Sequence, residues 1–371
     1  MNDGKSKFPK QTSSHWRLLI AAVLALAAAP LLAQPQTKRL TAQTLGLVIN
    51  TADPYSVAVG DYYTLRRGIA PEQILRVTLP LRPTLTAAEF EALAVRVRDH
   101  MPAHVQGLAL AWTQPYAVEC NSLTSALTLG FQPDQCKQTC APGVPSRLFN
   151  SSSTRPFTRY AMRPSMLLAS RSVVSAMALI DRGVAADGQL GKLGGLPANA
   201  VFVSTQDQAR NVRAPLFPRE GPLLGRMTNV VRVEEGAAPA PAEPKPAEGQ
   251  EATAPAFKQV VLYQTGAAIV TNMAAIGWLP GALADHLTSS GGHLLDRQGQ
   301  TSALEWLEAG ATASYGTVSE PCNHTQKFPH PEVLLAHYLQ GVTALEAYWR
   351  SVAWPAQGVF IGEPLAAPYA R

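Results

Sequence analysis

Three short strand-like runs, the apolar Leu45 to Ile49 and Gly107 to Trp112 and, between them, Ile74 to Leu79, are separated by two stretches that carry helix signals. Asp53-Pro54 supplies an N-cap followed by proline at the first helical position, and Gly68 with Pro71 behind it closes that segment. Thr86-x-x-Glu89 is a capping box opening a helix with Phe90, Leu93, Val97 and Met101 on one face. Strands apolar on both sides need cover on both sides. The alternation therefore predicts an α/β fold, a layered, mostly parallel sheet with helices on both faces. Further buried strands are expected at Met166 to Ala169, Ala200 to Val203, Val260 to Tyr263, Ala311 to Val318 and Gly358 to Ile361. Helices are expected at Ser172 to Arg182, Pro331 to Gln340, Ser302 to Ala309 and Thr343 to Val352, the last two opened by the boxes Ser302-x-x-Glu305 and Thr343-x-x-Glu346.

Two segments break the rhythm. Residues 132–157 are polar, rich in Ser and Pro, and read as an irregular excursion from the sheet. Residues 237–256 are a Pro/Ala/Glu-rich stretch that cannot bury a core and read as a disordered surface loop. With 46% apolar and 15% charged residues, the chain as a whole is neither disordered nor a coiled coil.

The first residues read as a leader. Lys5, Lys7, Lys10 and Arg17 stand against Asp3, and Leu18 to Ala33 is apolar apart from Pro30. That is a signal-peptide layout over 1–33, with an apolar run short of the about 20 residues that cross a bilayer. Its removal takes the formal charge from +5 to about +2, so nucleic acid is not an expected partner. The folding unit is then 34–371, one exported α/β domain, periplasmic or extracellular, with no membrane span left after cleavage. No partner is identified.

Export favours disulfides for Cys120, Cys136, Cys140 and Cys322. Cys136 and Cys140 are close enough to meet in a turn, which leaves Cys120 and Cys322 to each other or free. The Asp285, His286, His293, Cys322, His324 and His330 set fits no familiar zinc spacing, so no metal is assigned. No cofactor is assigned either. G-x-S-x-G, H-E-x-x-H, G-x-x-x-x-G-K-[ST] and a G-x-G-x-x-G after the first strand are all missing, and Gly188, Gly191, Gly194 and Gly195 read as loop glycines.

Polar residues concentrate in two blocks, 279–292 and 310–323, each an apolar or small-residue segment with a polar tail. Ligands of parallel sheets bind beyond the carboxyl ends of strands, where such tails sit. His286 and Cys322 are placed as a base and a thiol at neighbouring strand ends, and Gly291 and Gly292 as oxyanion donors. Asp285, Thr288, Ser289, Ser290, Tyr315, Glu320 and Asn323 would line the same rim. The alternative is a Cys120–Cys322 disulfide with His286 bonded to a loop carbonyl. Tyr315, Tyr348 and Trp349 read as packing, or as a surface on which a ligand stacks.

These two blocks, with Cys322-Asn323-x-x-x-Lys327-Phe328-Pro329, the ending Gln357-Gly358-Val359-Phe360-Ile361-Gly362-Glu363-Pro364-Leu365 and the start Tyr62-Tyr63-x-x-x-Arg67-Gly68-Ile69, resemble an exported bacterial family of conserved hypothetical proteins. That resemblance implies no known activity. A more distant one is to gingipain-type cysteine peptidases and their caspase-like fold, in strand order, in His before Cys, and in a closing apolar strand followed by Gly-acid-Pro. Those peptidases carry Gly after the catalytic His, whereas Leu287 follows His286 here, and Pro321 before Cys322 is also atypical. The expected layout is thus caspase-like or flavodoxin-like. The expected function is a non-catalytic envelope or extracellular binding protein, with a cysteine hydrolase using a His286–Cys322 dyad as the alternative.

Overall fold

The computed structural model describes residues 39–190, 197–223, 225, 228–235, 257–296 and 298–371, together with 1, 3 and 4. The expected leader at 1–33, the Pro/Ala/Glu loop at 237–256 and Gly191, Gly194 and Gly195 lie outside the described residues, apart from residues 1, 3 and 4.

The first half follows its local signals closely. β1 (Leu45–Asn50) is buried along its whole length. It feeds α1 (Pro54–Arg67), where Asp53 Oδ1 accepts the Tyr55 N–H at 3.0 Å and Gly68 ends the helix at φ 66°. β2 (Ile74–Val77) and the short β3 (Thr84–Leu85) precede α2 (Ala87–His100), which opens on the Thr86–Glu89 box and buries Phe90, Leu93 and Val97. β4 (Gly107–Leu110) is followed by a small hairpin, β5 (Ala117–Val118) and β6 (Asn121–Ser122), and by α3 (Leu123–Leu129). The excursion at 132–157 is less irregular than its composition suggests. Pro133 and Pro156 each start a short helix, α4 (Pro133–Lys137) and α5 (Pro156–Tyr160). β7 (Ser165–Leu167) and α6 (Val173–Ala186), which packs on α1, complete this half.

The second half holds β8 (Ala198–Ser204), β9 (Gly221–Leu223), β10 (Thr228–Glu234), β11 (Phe257–Gly266) and β12 (Ile276–Leu287). Next come α7 (Ala303–Glu308), β13 (Ala313–Thr317), α8 (Pro331–Leu339), α9 (Ala344–Ser351) and β14 (Gly358–Gly362). α7 and α9 start on the expected capping boxes. β10 alternates between less and more exposed residues toward its end, so no apolar run announces it.

Among the described residues eleven strands form one sheet, in the order β2-β1-β4-β7-β14-β13-β12-β11-β8-β10-β9. Pairing is parallel except at β9–β10 and β13–β14. The sheet is mostly parallel, as the apolar runs predict, but it consists of two parallel halves running in opposite senses. They meet at the antiparallel seam from Ala313↔Gly362 to Thr317↔Gly358. Successive side chains on β14 divide between the two sides: Phe360 enters one core with α1, α8 and α9, and Val359 and Ile361 enter the other with α2, α3 and α7. Among the described residues no helix is long and apolar enough to cross a membrane.

The disulfides correct the expected pairing. Cys136 does not meet Cys140, and Cys120 does not meet Cys322. Cys120 is bonded to Cys136 and Cys140 to Cys322, with Cα separations of 5.2 and 5.1 Å. The physical reason is local. Asn121 holds the start of α4 on both sides of Gln132, accepting its N–H at 3.0 Å and donating to its carbonyl at 3.1 Å. This lays Cys136 over the β5–β6 turn at Cys120. Cys140 lies beyond the helix end, and its carbonyl is 2.9 Å from His324 Nε2, beside Cys322.

Candidate functional site

Asp285 and His286 are neighbours on β12, so their side chains leave opposite faces of the sheet. The single rim expected for them does not form. Asp285 is fully buried and accepts from Arg213 Nη1 at 2.6 Å, from Gln264 Nε2 on the adjacent β11 at 2.9 Å, and from the Tyr348 hydroxyl at 3.4 Å. Arg213 comes from the 3-10 turn Asn211–Leu216 and also donates to the carbonyls of Thr265 (2.9 Å) and Pro329 (3.1 Å). Tyr348 is held protonated, its pKa well above the ordinary phenol range, by burial and then by the Asp285 charge. Tyr315 stands on the same face, with its hydroxyl donating to the Lys327 carbonyl. Tyr315, Tyr348 and Trp349 all belong to the packed core. This cluster is a buried, charge-paired structural network.

On the other face, the His286 ring is enclosed by α7 and the loop before it. Trp306 Nε1 donates to Nδ1 at 3.0 Å, and Nε2 lies 3.0 Å from the Thr301 carbonyl. An indole N–H only donates, so Nδ1 is the acceptor, and the ring proton sits on Nε2 and goes to Thr301. Burial pushes the His286 pKa down to about 3, with the Thr301 carbonyl opposing and the charges of Arg213 and Arg210 assisting. Its one basic nitrogen is thus occupied by a tryptophan, and Cys322 carries a disulfide instead of a thiol. The structure does not assemble a His286–Cys322 dyad.

Gly292 is not available as an oxyanion donor, so the expected Gly291–Gly292 pair of donors does not form. Gly292 N–H is spent on the Thr317 carbonyl at 2.9 Å. Gly292 and Gly316 let the loop lie flat on β13: a Cβ on Gly316 would come within 2.3 Å of the Gly291 carbonyl carbon, and one on Gly292 within 2.7 Å of that of Thr317.

Thr288, Ser289 and Ser290 do gather at the carboxyl end of β12. The buried Thr288 hydroxyl donates to Gln300 Oε1 at 2.6 Å and accepts from Arg210 Nε at 3.1 Å. Ser290 N–H reaches the same Gln300 oxygen at 2.9 Å. Arg210 is also paired with Asp207 at 2.9 Å, and Ser289 and Ser290 are half-buried. Glu320 and Asn323 are exposed and belong to the turn that carries Cys322, where Glu320 Oε1 accepts the Cys322 N–H at 2.8 Å. Among the described residues no three His, Cys, Asp or Glu side chains are grouped to hold a metal ion.

Six site residues escape sequence reasoning: Arg210, Arg213, Gln264, Gln300, Thr301 and Trp306. Gln264 alone carries a signal, a polar residue at the end of the apolar run Val260 to Tyr263. Lys327, in the Cys322-to-Pro329 motif noted above, is buried and donates to the Thr139 carbonyl at 2.6 Å. Burial draws its pKa down to about 8, with Glu320 opposing. Two other motifs also find each other. Glu363, fully buried, accepts from the Tyr63 hydroxyl at 2.7 Å and from Arg67 through Nε at 2.9 Å and Nη2 at 2.6 Å, while Arg67 Nη1 reaches Asp187 at 2.5 Å. This two-point clamp anchors the buried segment after β14 to α1.

No family model matches the chain, and no curated protein matches it. Two solved structures are similar. One is the Arg-specific cysteine proteinase gingipain R, at 10% identity and a TM-score of 0.45, with 90% of this chain and 80% of that chain covered. The other, described simply as a protease, has 10% identity, a TM-score of 0.44 and the same coverage. A likeness at this level carries no statement about chemistry.

Proposed function

We propose that this chain is an exported, non-catalytic binding protein. The observation that carries the reading is the Cys140–Cys322 disulfide, which occupies the sulfur that a cysteine hydrolase would need. The enclosure of His286 between Thr301 and Trp306 supports it, because a base must offer a free nitrogen to the group it deprotonates. Export is supported by two disulfides in one chain, which persist in oxidising compartments, and by the leader pattern at 1–33. What remains partly accessible at the carboxyl end of β12 is the half-buried pair Ser289 and Ser290 beside Arg210, which is itself paired with Asp207.

The test is turnover. The purified, oxidised protein is incubated with a mixed peptide library and with simple ester substrates, and the products are read by mass spectrometry. The expected result is no cleavage above buffer. Cleavage that disappears in Cys322→Ala or in His286→Ala would overturn the reading in favour of a cysteine hydrolase.

A further inference from the structure

The four cysteines lie close together, but their two bonds have different surroundings. Ser319, in the turn that carries Cys322, donates from its hydroxyl to the Cys120 carbonyl at 2.7 Å, and α4 ends between Cys136 and Cys140. Around Cys120–Cys136 the sulfurs meet N–H donors. Cys136 Sγ accepts the Cys120 backbone N–H at 3.3 Å and the Asn121 side-chain amide at 3.6 Å, and that amide also lies 3.3 Å from Cys120 Sγ. Both cysteines are half-buried. Around Cys140–Cys322 the setting is reversed. No N–H among the described residues reaches either sulfur, and Glu320 Oε1, which accepts the Cys322 N–H at 2.8 Å, sets a carboxylate close by.

Donors on a sulfur matter when its bond opens. Exchange with an external thiolate expels one sulfur as a thiolate, and hydrogen bonds to the charged form stabilise it and make it the better leaving group. A neighbouring carboxylate does the opposite. The two bonds also differ in what their opening releases. Cys120 and Cys136 are 16 residues apart, and Asn121 holds Gln132 by two hydrogen bonds while Gln135 Nε2 donates to the carbonyls of Gln138 at 3.3 Å and Thr139 at 3.0 Å. The pair therefore stays in place without its bond. Cys140 and Cys322 are 182 residues apart. A bond that closes so long a loop stabilises the fold more, and by linkage the fold protects it more from reduction.

We propose that Cys120–Cys136 is a redox-active pair that exchanges with a dithiol, while Cys140–Cys322 remains a structural bond. One thiolate of the dithiol attacks Cys120 Sγ, the S–S bond breaks with its electron pair on Cys136 Sγ, and a mixed disulfide forms at Cys120. The second thiolate then closes the dithiol into its own disulfide and expels Cys120. Two electrons pass to the protein, and of the two protons the dithiol loses, Cys120 takes one and solvent the other. The pair uses neither His286 nor Cys322, so it goes beyond the reading of the chain as a binding protein and shares no assay with it.

The experiment incubates the oxidised full chain at pH 7, without oxygen, with increasing dithiothreitol, then alkylates it and maps the labelled peptides by mass spectrometry. Cys120 and Cys136 are labelled together at about tenfold less dithiol than Cys140 and Cys322. The near-ultraviolet circular dichroism spectrum persists, and glutathione disulfide recloses the same pair. In the partly reduced chain, alkylation of Cys136 by iodoacetamide titrates below the about 8.5 of a free thiol. Asn121→Asp keeps an acceptor for the Gln132 N–H but puts a carboxylate in place of the amide donor on both sulfurs, and it slows opening about three- to tenfold. Opening of Cys140–Cys322 first or at the same dithiol concentration, loss of the spectrum as Cys120–Cys136 opens, a Cys136 titration at or above about 8.5, or a folded Asn121→Asp chain that opens at the wild-type rate would each overturn the proposal.

Discussion

Acid should destabilise this fold through His286 by an amount that can be worked out in advance. In the folded chain its pKa lies at about 3, whereas an unfolded histidine titrates near 6.5. The folded value is the lower one, so the stabilisation is complete above pH 6.5 and is lost as pH falls toward 3. Between those limits the unfolded state holds one proton more, and linkage removes about 1.4 kcal/mol of stability per pH unit. By pH 4.5 the loss attributable to this one ring is about 2–3 kcal/mol. His330 and His337 are also held down by burial and steepen the total acid dependence. A variant comparison isolates His286. His286→Gln keeps an acceptor for Trp306 and a donor for Thr301 without a titrating group. Urea unfolding of both proteins at pH 7.5, 6.5, 5.5 and 4.5 gives two stability curves. The advantage of the wild type over the variant should shrink by about 2–3 kcal/mol across that range. Parallel curves would refute the reasoning, since a solvated, proton-accepting His286 gives no such convergence.

Two further outcomes follow from the buried ion pairs. Asp285→Asn leaves the Arg213 guanidinium uncompensated in the core and should cost about 3–5 kcal/mol in urea unfolding, most of it recovered when Arg213→Met is added. Glu363→Gln removes the carboxylate that Arg67 and Tyr63 share, and with Asp187 still within reach of Arg67 it should cost about 2–4 kcal/mol, read as a lowered unfolding midpoint at an unchanged m-value.

Elements whose instructions are local were legible in the sequence. Asp53-Pro54 and the pairs Thr86/Glu89, Ser302/Glu305 and Thr343/Glu346 place four helix starts correctly, because a cap is satisfied within one turn. Fully buried strands such as β1 and β4 announce themselves as apolar runs. Strand direction does not, since an apolar run has the same burial pattern read from either end. The antiparallel seam at β13–β14 was therefore invisible. β12 was concealed by Pro280-Gly281 in its interior, where its pairing with β11 shifts register. The candidate rim failed on one step of geometry, since adjacent residues on a strand face opposite ways and Asp285 and His286 were bound to part. The disulfide exchange came from tertiary contacts, Asn121 on Gln132 and His324 on the Cys140 carbonyl, that no spacing of cysteines encodes.

The reading of this chain as a binder instead of a hydrolase stands on the state of one sulfur. Proteolytic mapping of the protein by mass spectrometry, with alkylation before any reduction, measures that state directly. The account predicts peptides linked Cys120 to Cys136 and Cys140 to Cys322, with no alkylated cysteine. An alkylated Cys322, or a Cys120–Cys322 link, would contradict it.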